Sequence, residues 1–301
     1  MIIVSGTKRS GTSMWMQILK AAGLPVLGKA FSKDWGDTIR DANKEGFYES
    51  PLRNGINFRT NPHPKTGAYL FPQATRHHAV KVFIPGLVRS DVAFVGKVIA
   101  TMRDWREYHR SLRRLYAMEH ANRSALRGEA MPEPVHVPPV LEWWSENYAL
   151  LSDVLTRRYP IHMVAYETTL AEPERIVPEA IEWLAAPDTD AAAAAASVRP
   201  ELRTQEGERE DDLPEDVGDP NEAIEAEHAA VFDALYARVR DRKGLDADFI
   251  DVLNATHEAL QPRIEQALKA VRKVQAERRL ARLEARKAKE ASGDEPSGAQ
   301  S

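Results

Sequence analysis

Residues 1–23 decide the fold class: Met1-Ile2-Ile3-Val4-Ser5-Gly6-Thr7-Lys8-Arg9-Ser10-Gly11-Thr12-Ser13-Met14-Trp15-Met16-Gln17-Ile18-Leu19-Lys20-Ala21-Ala22-Gly23. The apolar run Met1 to Val4 stops at Ser5-Gly6, as a buried strand does. Beyond the loop, Met14, Trp15, Ile18, Leu19 and Ala22 recur at helical spacing, and Gly23 with Pro25 supplies the stop. The order is strand, glycine-bearing loop, helix. In such a loop backbone N–H groups point inward and the helix presents its positive end, so an anion is stabilised there. Glycines let the backbone approach the ligand closely. Against the nucleotide-triphosphatase pattern G-x-x-x-x-G-K-[ST], Gly6, Gly11 and Ser13 fit, but Thr12 stands where the lysine belongs. The cations come earlier, at Lys8 and Arg9, so this is a phosphate cradle of another kind.

Outward from the loop, strand-like runs recur at Ala79 to Ile84, Val98 to Met102 and Ile161 to Ala165. Helical patterns cover Trp105 to Met118, Val140 to Arg158 and Pro173 to Leu184. Strands alternating with helices predict an α/β fold, a P-loop-type parallel sheet flanked by helices. This domain is expected to cover 1–205, after which composition shifts. An alanine run, Ala191 to Ala196, precedes the acid-dense stretch Glu206 to Asp216, and 206–220 reads as a solvated linker. A C-terminal helical extension follows over 221–290. Its candidate helices are Glu222 to Arg240, Asp246 to Leu260, and a third opened by Pro262 that runs to about Lys289. Ile264, Leu268, Val271 and Val274 form a stripe on the third, and Arg and Lys dominate beyond them. That pattern suits a solvated or self-associating, coiled-coil-like helix better than a nucleic-acid or lipid contact. Residues 291–301 read as a disordered tail.

Composition narrows the chemistry. The chain has 301 residues, 41 Lys+Arg and 45 Asp+Glu, for a net charge of −4. No cysteine is present, which removes disulfides, thiolate metal sites and cysteine nucleophiles. The longest apolar candidate, Val92 to Met102, is broken by Lys97 and is too short to span a membrane. The N-terminus lacks the layout of a secretory signal, so a cytoplasmic location is expected. The charge balance gives no reason to expect nucleic acid as a partner.

Two separated elements carry a family resemblance. Lys8-Arg9-Ser10-Gly11-Thr12-Ser13 resembles the 5′-phosphosulfate loop P-[KR]-S-G-T-[ST] of sulfotransferases that use 3′-phosphoadenosine 5′-phosphosulfate (PAPS). Arg103-Asp104-Trp105-Arg106, with Ser111 eight residues after Arg103, is similar to that family's 3′-phosphate element, R-D-P-R followed by serine. Arginine at a strand end offers a forked, permanently charged donor, and a serine on the next helix adds a hydroxyl to the same phosphate. Lys81-Val82-Phe83-Ile84-Pro85 resembles K-T-H-L-P of the cytosolic members. Tyr166-Glu167-Thr168-Thr169-Leu170, then Pro173-Glu174, resembles Y-E-D-L and the following proline. Together the matches span roughly residues 2–185 and point to a bacterial-type member of the family.

The resemblance implies an enzyme that moves the sulfuryl group of PAPS to a hydroxyl or amine of a small-molecule or glycan acceptor, leaving PAP, without a metal. Arg9 would neutralise charge on the leaving phosphate, with Lys8 as an outside candidate. Ser10, Gly11, Thr12 and Ser13 would hold the 5′-phosphate, Arg103 and Ser111 the 3′-phosphate, and Tyr166 would lie near the adenine. Lys81 would add charge near the sulfuryl group. The histidine of K-T-H-L-P is replaced by Phe83, so the base is sought elsewhere. Asn43 to Pro51 looks like the bacterial N-P-x-G-[YF]-[YF]-E stretch, with Lys44 for the proline, which makes Glu49 the expected base. His77 or His78 is the other candidate, and only one of two adjacent side chains can face a site. Trp105 replaces a proline, and Met14 stands where cytosolic members carry an adenine-stacking tryptophan, Trp15 falling on another helix face. Arg199 or Arg203 could close over the donor. Two further readings stay open. One is a small-molecule kinase using ATP and magnesium held by Asp104 or Glu167. The other is a non-catalytic nucleotide- or partner-binding protein.

Overall fold

The computed structural model describes residues 1–30, 46, 48–128, 132–202 and 219–291. Strand β1 (Ile2–Gly6) is buried along its whole length, as a continuous apolar run in a covered parallel sheet must be. It sends Ile2 and Val4 to one face and Ile3 to the other, into separate core clusters. The loop after it leads into α1 (Thr12–Ala21), whose Trp15, Met16, Ile18 and Leu19 are buried. A two-residue strand, β2 (Val26–Leu27), forms one sheet edge. Strands β3 (Ala79–Lys81), β4 (Lys97–Met102) and β5 (Ile161–Ala165) complete the sheet in the order β2-β3-β1-β4-β5, with every pairing parallel. The chain is thus an α/β protein with a five-stranded parallel sheet.

The remaining helices are α2 (Ile84–Leu87), α3 (Trp105–Arg127), α4 (Pro139–Arg157), α5 (Tyr166–Ala171), α6 (Pro173–Leu184), α7 (Ala191–Ala196), α8 (Ala226–Arg240) and α9 (Ala247–Ala291). Strand β3 ends at Lys81, three residues before the expected Ile84, because the chain turns there into α2. The alanine run, read as part of a composition shift, is a helix. Asp190 caps it through Ala193 N–H at 2.9 Å, and Ala194 and Ala195 are buried beside α1 and α6. Pro262 does not open a new helix, since α9 runs through it. Leu260 and Ile264, on either side, are both anchored in the core, and that packing outweighs one missing N–H.

The C-terminal helices share a core with the sheet domain. Phe232 of α8 stacks on Trp144 at 4.8 Å and meets Trp105 and Trp143 at 5.8 and 5.3 Å. Asp233 accepts from Trp105 Nε1 at 2.7 Å and from Arg106 at 2.5 and 3.0 Å. The acidic stretch and the tail fall outside the described residues, as does the expected boundary near 205. Among the described residues no helix is long and apolar enough to cross a membrane.

The topology also sets where a ligand can sit. From β1 the chain departs toward β2 on one side, and from β4 toward β5 on the other. The carboxyl ends of β1 and β4 therefore flank a switch point, the crevice where open α/β sheets bind ligands.

Candidate functional site

The loop after β1 is braced from within. Ser10 Oγ donates to the Thr7 carbonyl at 2.7 Å and shares a hydrogen with Thr101 Oγ1 at 2.8 Å, on the neighbouring strand. A side chain at Gly6 would come within 2.6 Å of the Thr101 carbonyl oxygen, so the closeness of loop and strand admits only glycine. Arg9 takes a left-handed conformation at φ 64°. Gly11 follows as the N-cap of α1 at φ 95°, its carbonyl accepting from Trp15 N–H at 3.0 Å. The first-turn N–H groups of α1 have no partner within the helix, and they lie at its positive end. Tyr166, the first residue of α5, covers this turn: a Cβ on Gly11 would sit 2.5 Å from its ring. Thr12 is buried and Ser13 partly exposed at the same turn.

The second expected element meets the first. Arg9 Nε donates to Ser111 Oγ at 3.1 Å. Arg103 Nη1 donates to the Arg9 carbonyl at 3.3 Å, and its guanidinium lies over the Tyr166 ring at 4.9 Å. Glu107 at 3.5 Å and Glu167 at 3.6 Å flank Arg103, and Trp143 Nε1 fixes its carbonyl at 2.9 Å. Burial first, and then the charges of Arg103 and Arg114, push the Arg9 guanidinium down to about 10. Burial and the two neighbouring arginines both disfavour the Arg9 charge, and an anion in contact with it would offset both.

A third group lies on the other side of the loop. Glu49, held by its backbone pairing with Lys29, takes Lys81 Nζ at 2.5 Å and Arg53 at 2.9 Å. Lys81 is 2% exposed and its Nζ lies 3.5 Å from Ser13 Oγ, which joins this group to the loop. Burial lowers the Lys81 ammonium, and Glu49 opposes that shift.

No family model, curated protein or solved structure matches this chain. The site's chemistry therefore rests on its own residues, and the structure gathers most of those singled out in the sequence. Arg9, Ser10, Gly11, Thr12, Ser13, Arg103, Ser111 and Tyr166 cluster at the carboxyl ends of β1 and β4, with Glu49 and Lys81 beside them. Lys8 does not join them. It is 48% exposed and turns to α4, where it pairs with Glu142 at 3.3 Å. The left-handed kink at Arg9 sends the two neighbouring cations different ways. His77 and His78 precede β3, whose register with β1 puts them at the amino end of the sheet, opposite the loop. Trp15 is buried in the core, whereas Met14 reaches Gly11. Arg199 pairs with Glu201 at 3.5 Å on the surface. Asn43, Lys44, Glu45, Phe47 and Arg203 lie outside the described residues.

The acids considered for magnesium have other duties. Asp104 caps α3 through Arg106 N–H and Glu107 N–H at 2.9 and 3.1 Å, and Glu167 accepts from the Tyr236 hydroxyl. Among the described residues no three His, Asp or Glu side chains converge as a cation site. Two contributors escaped the sequence reading. Thr101 braces the loop from a strand with no motif of its own. Arg114 stands three residues after Ser111 on α3, and that helical spacing was the available signal.

Proposed function

We propose that this protein is a PAPS-dependent sulfotransferase. The meeting of the loop arginine with the β4 element carries the reading: Arg9 bonds Ser111 while Arg103 bonds the Arg9 backbone. Two anchors far apart in sequence thus lie in contact at the switch point, which supports a single ligand bridging them. The residues fit a bisphosphorylated adenosine. The α1 turn, with Thr12 and Ser13, would hold the 5′-phosphate, and Arg103 and Ser111 the 3′-phosphate, with Tyr166 placed against the base. The donor supplies an activated sulfuryl group, and the protein's task is alignment and charge neutralisation for an in-line displacement. Arg9 stabilises charge on the leaving phosphate, since a guanidinium is a strong cation and a poor proton donor. Lys81 adds charge at the Ser13 side, and Glu49 takes the acceptor's proton. The acceptor is a small molecule or glycan bearing a hydroxyl or amine, the compartment is the cytoplasm, and neither metal nor nucleic acid takes part. Leu280 and Leu283, 60% and 46% exposed on α9, supply a stripe for self-association.

Calorimetric titration with 3′,5′-ADP tests the reading. Binding should be unaffected by EDTA and weakened about tenfold or more in Arg103→Ala, the scale of a lost charged hydrogen bond. Ser111→Ala, a smaller change at the same phosphate, should weaken it several-fold while the fold is retained. A preference for ATP with magnesium, or no binding of 3′,5′-ADP, overturns the proposal.

A further inference from the structure

Helix α8 reaches the surroundings of Arg103 by separate routes. Phe232 packs on Trp143 at 5.3 Å, and Trp143 Nε1 holds the Arg103 carbonyl at 2.9 Å. Asp233 accepts from Trp105 and Arg106, just beyond Arg103 on the same chain segment. Tyr236, one turn further along α8, donates its hydroxyl to Glu167 Oε2. Glu167 in turn faces the Arg103 side chain. The backbone, the flank and the guanidinium side of this arginine are thus all approached from the C-terminal helices.

The Glu167 contact is the unusual one. Its Oε1 stands 3.6 Å from Arg103 Nε and makes no hydrogen bond. An arginine and a carboxylate this close ordinarily shut into a two-pronged pair at about 2.8 Å. Here the other carboxylate oxygen is committed to Tyr236. Burial raises the Glu167 carboxyl, and among the contacts that oppose the rise the Tyr236 hydroxyl comes ahead of Arg103. Tyr236 itself is 8% exposed, and burial, then Glu167, pushes its phenol up, so it stays a donor. Glu107, the second acid beside Arg103 at 3.5 Å, is likewise shared, with Arg110 at 3.2 Å.

We propose that Tyr236 is a positioning residue for the 3′-phosphate anchor: it holds Glu167 short of Arg103, so an arriving phosphate need not break a bidentate carboxylate pair. Helix α8 thereby sets how strongly the protein prefers a 3′-phosphorylated nucleotide to 5′-AMP. That Arg103 meets a 3′-phosphate rests on the function proposed above. The coupling of Tyr236 to Arg103 through Glu167 comes from the packing of α8.

Calorimetry on the full chain with 3′,5′-ADP and 5′-AMP tests it. The wild type should bind 3′,5′-ADP about tenfold tighter or more, the scale of a charged hydrogen bond. Tyr236→Phe keeps the buried ring and removes only the hydroxyl. It should weaken 3′,5′-ADP several-fold and leave 5′-AMP affinity unchanged, which also shows that the variant folds. Glu167→Gln removes the charge that could close on Arg103, so in that background Tyr236→Phe should change 3′,5′-ADP affinity by less than about twofold. A tyrosine that only supports the fold would cost the same in both backgrounds and for both nucleotides. The positioning role falls, and the transferase stands, if wild-type preference survives Tyr236→Phe, if 5′-AMP weakens in step, or if the loss persists in the Glu167→Gln background. Tighter 3′,5′-ADP binding by Tyr236→Phe also overturns it. A wild type that binds 3′,5′-ADP no better than 5′-AMP removes the anchor itself, and the transferase with it.

Discussion

Glu146 shows how one buried group marks a whole pH profile. Its folded-state carboxyl sits near 8 and its ordinary value is 4.5. Between those limits the folded chain keeps a proton that the unfolded chain gives up, so stability falls as pH rises, by at most about 1.4 kcal/mol per pH unit. Glutamine cannot ionise. Urea midpoints of the wild type and Glu146→Gln should therefore coincide near pH 4.5 and separate toward pH 8, with the variant the more stable; curves that stay parallel would contradict this. Such a residue was invisible in the sequence, where Ser145-Glu146-Asn147 is ordinary helix surface. Its neighbours include Tyr108 and Tyr116 of α3, from an earlier part of the chain. Arg9 and Arg103 were legible because each stands at a strand-to-helix junction in a motif that resembles a known family's, and Ser111 because it follows Arg103 at that motif's spacing, inside α3. The sequence ranked Arg9 above Lys8 by its place before Ser10-Gly11-Thr12, and the left-handed turn at Arg9 gives the separation its physical form.

Among the elements, α9 departs most from expectation. Pro262 lies on its exposed face between Leu260 and Ile264, both buried. The helix lacks one backbone bond there and carries a ring against the preceding turn. Alanine restores the bond without disturbing either anchor, so Pro262→Ala should raise unfolding stability by about 1–3 kcal/mol in chemical denaturation. A loss of stability would mean that the proline sets a bend the packing needs. Sequence reasoning broke the helix at the proline because local preference was the only information available. The same limit hid α7, where six alanines signalled composition but not the small, close contact with α1 and α6 that uses them. It also hid β2, two residues too short to carry a period.

For the whole molecule, the division of the chain near residue 205 reflects a change of composition and not a break in packing. Phe232, Leu235 and Leu253 lie in one core cluster with Trp105, Trp143 and Leu141. Removing everything after residue 220 would lay bare the tryptophan platform and leave Arg106 and the Trp105 indole without Asp233. The truncated chain should bind a hydrophobic dye and lose cooperative unfolding, while a cooperative, dye-silent fragment would show that the α/β part is self-sufficient.

Trp15, Trp105, Trp143 and Trp144 are all fully buried, and the last three touch Phe232. The molecule accordingly carries an optical reporter of its own: lifting α8 would change the near-ultraviolet dichroism of this aromatic stack, while Trp15, under the sheet, keeps its blue emission until the strands themselves come apart.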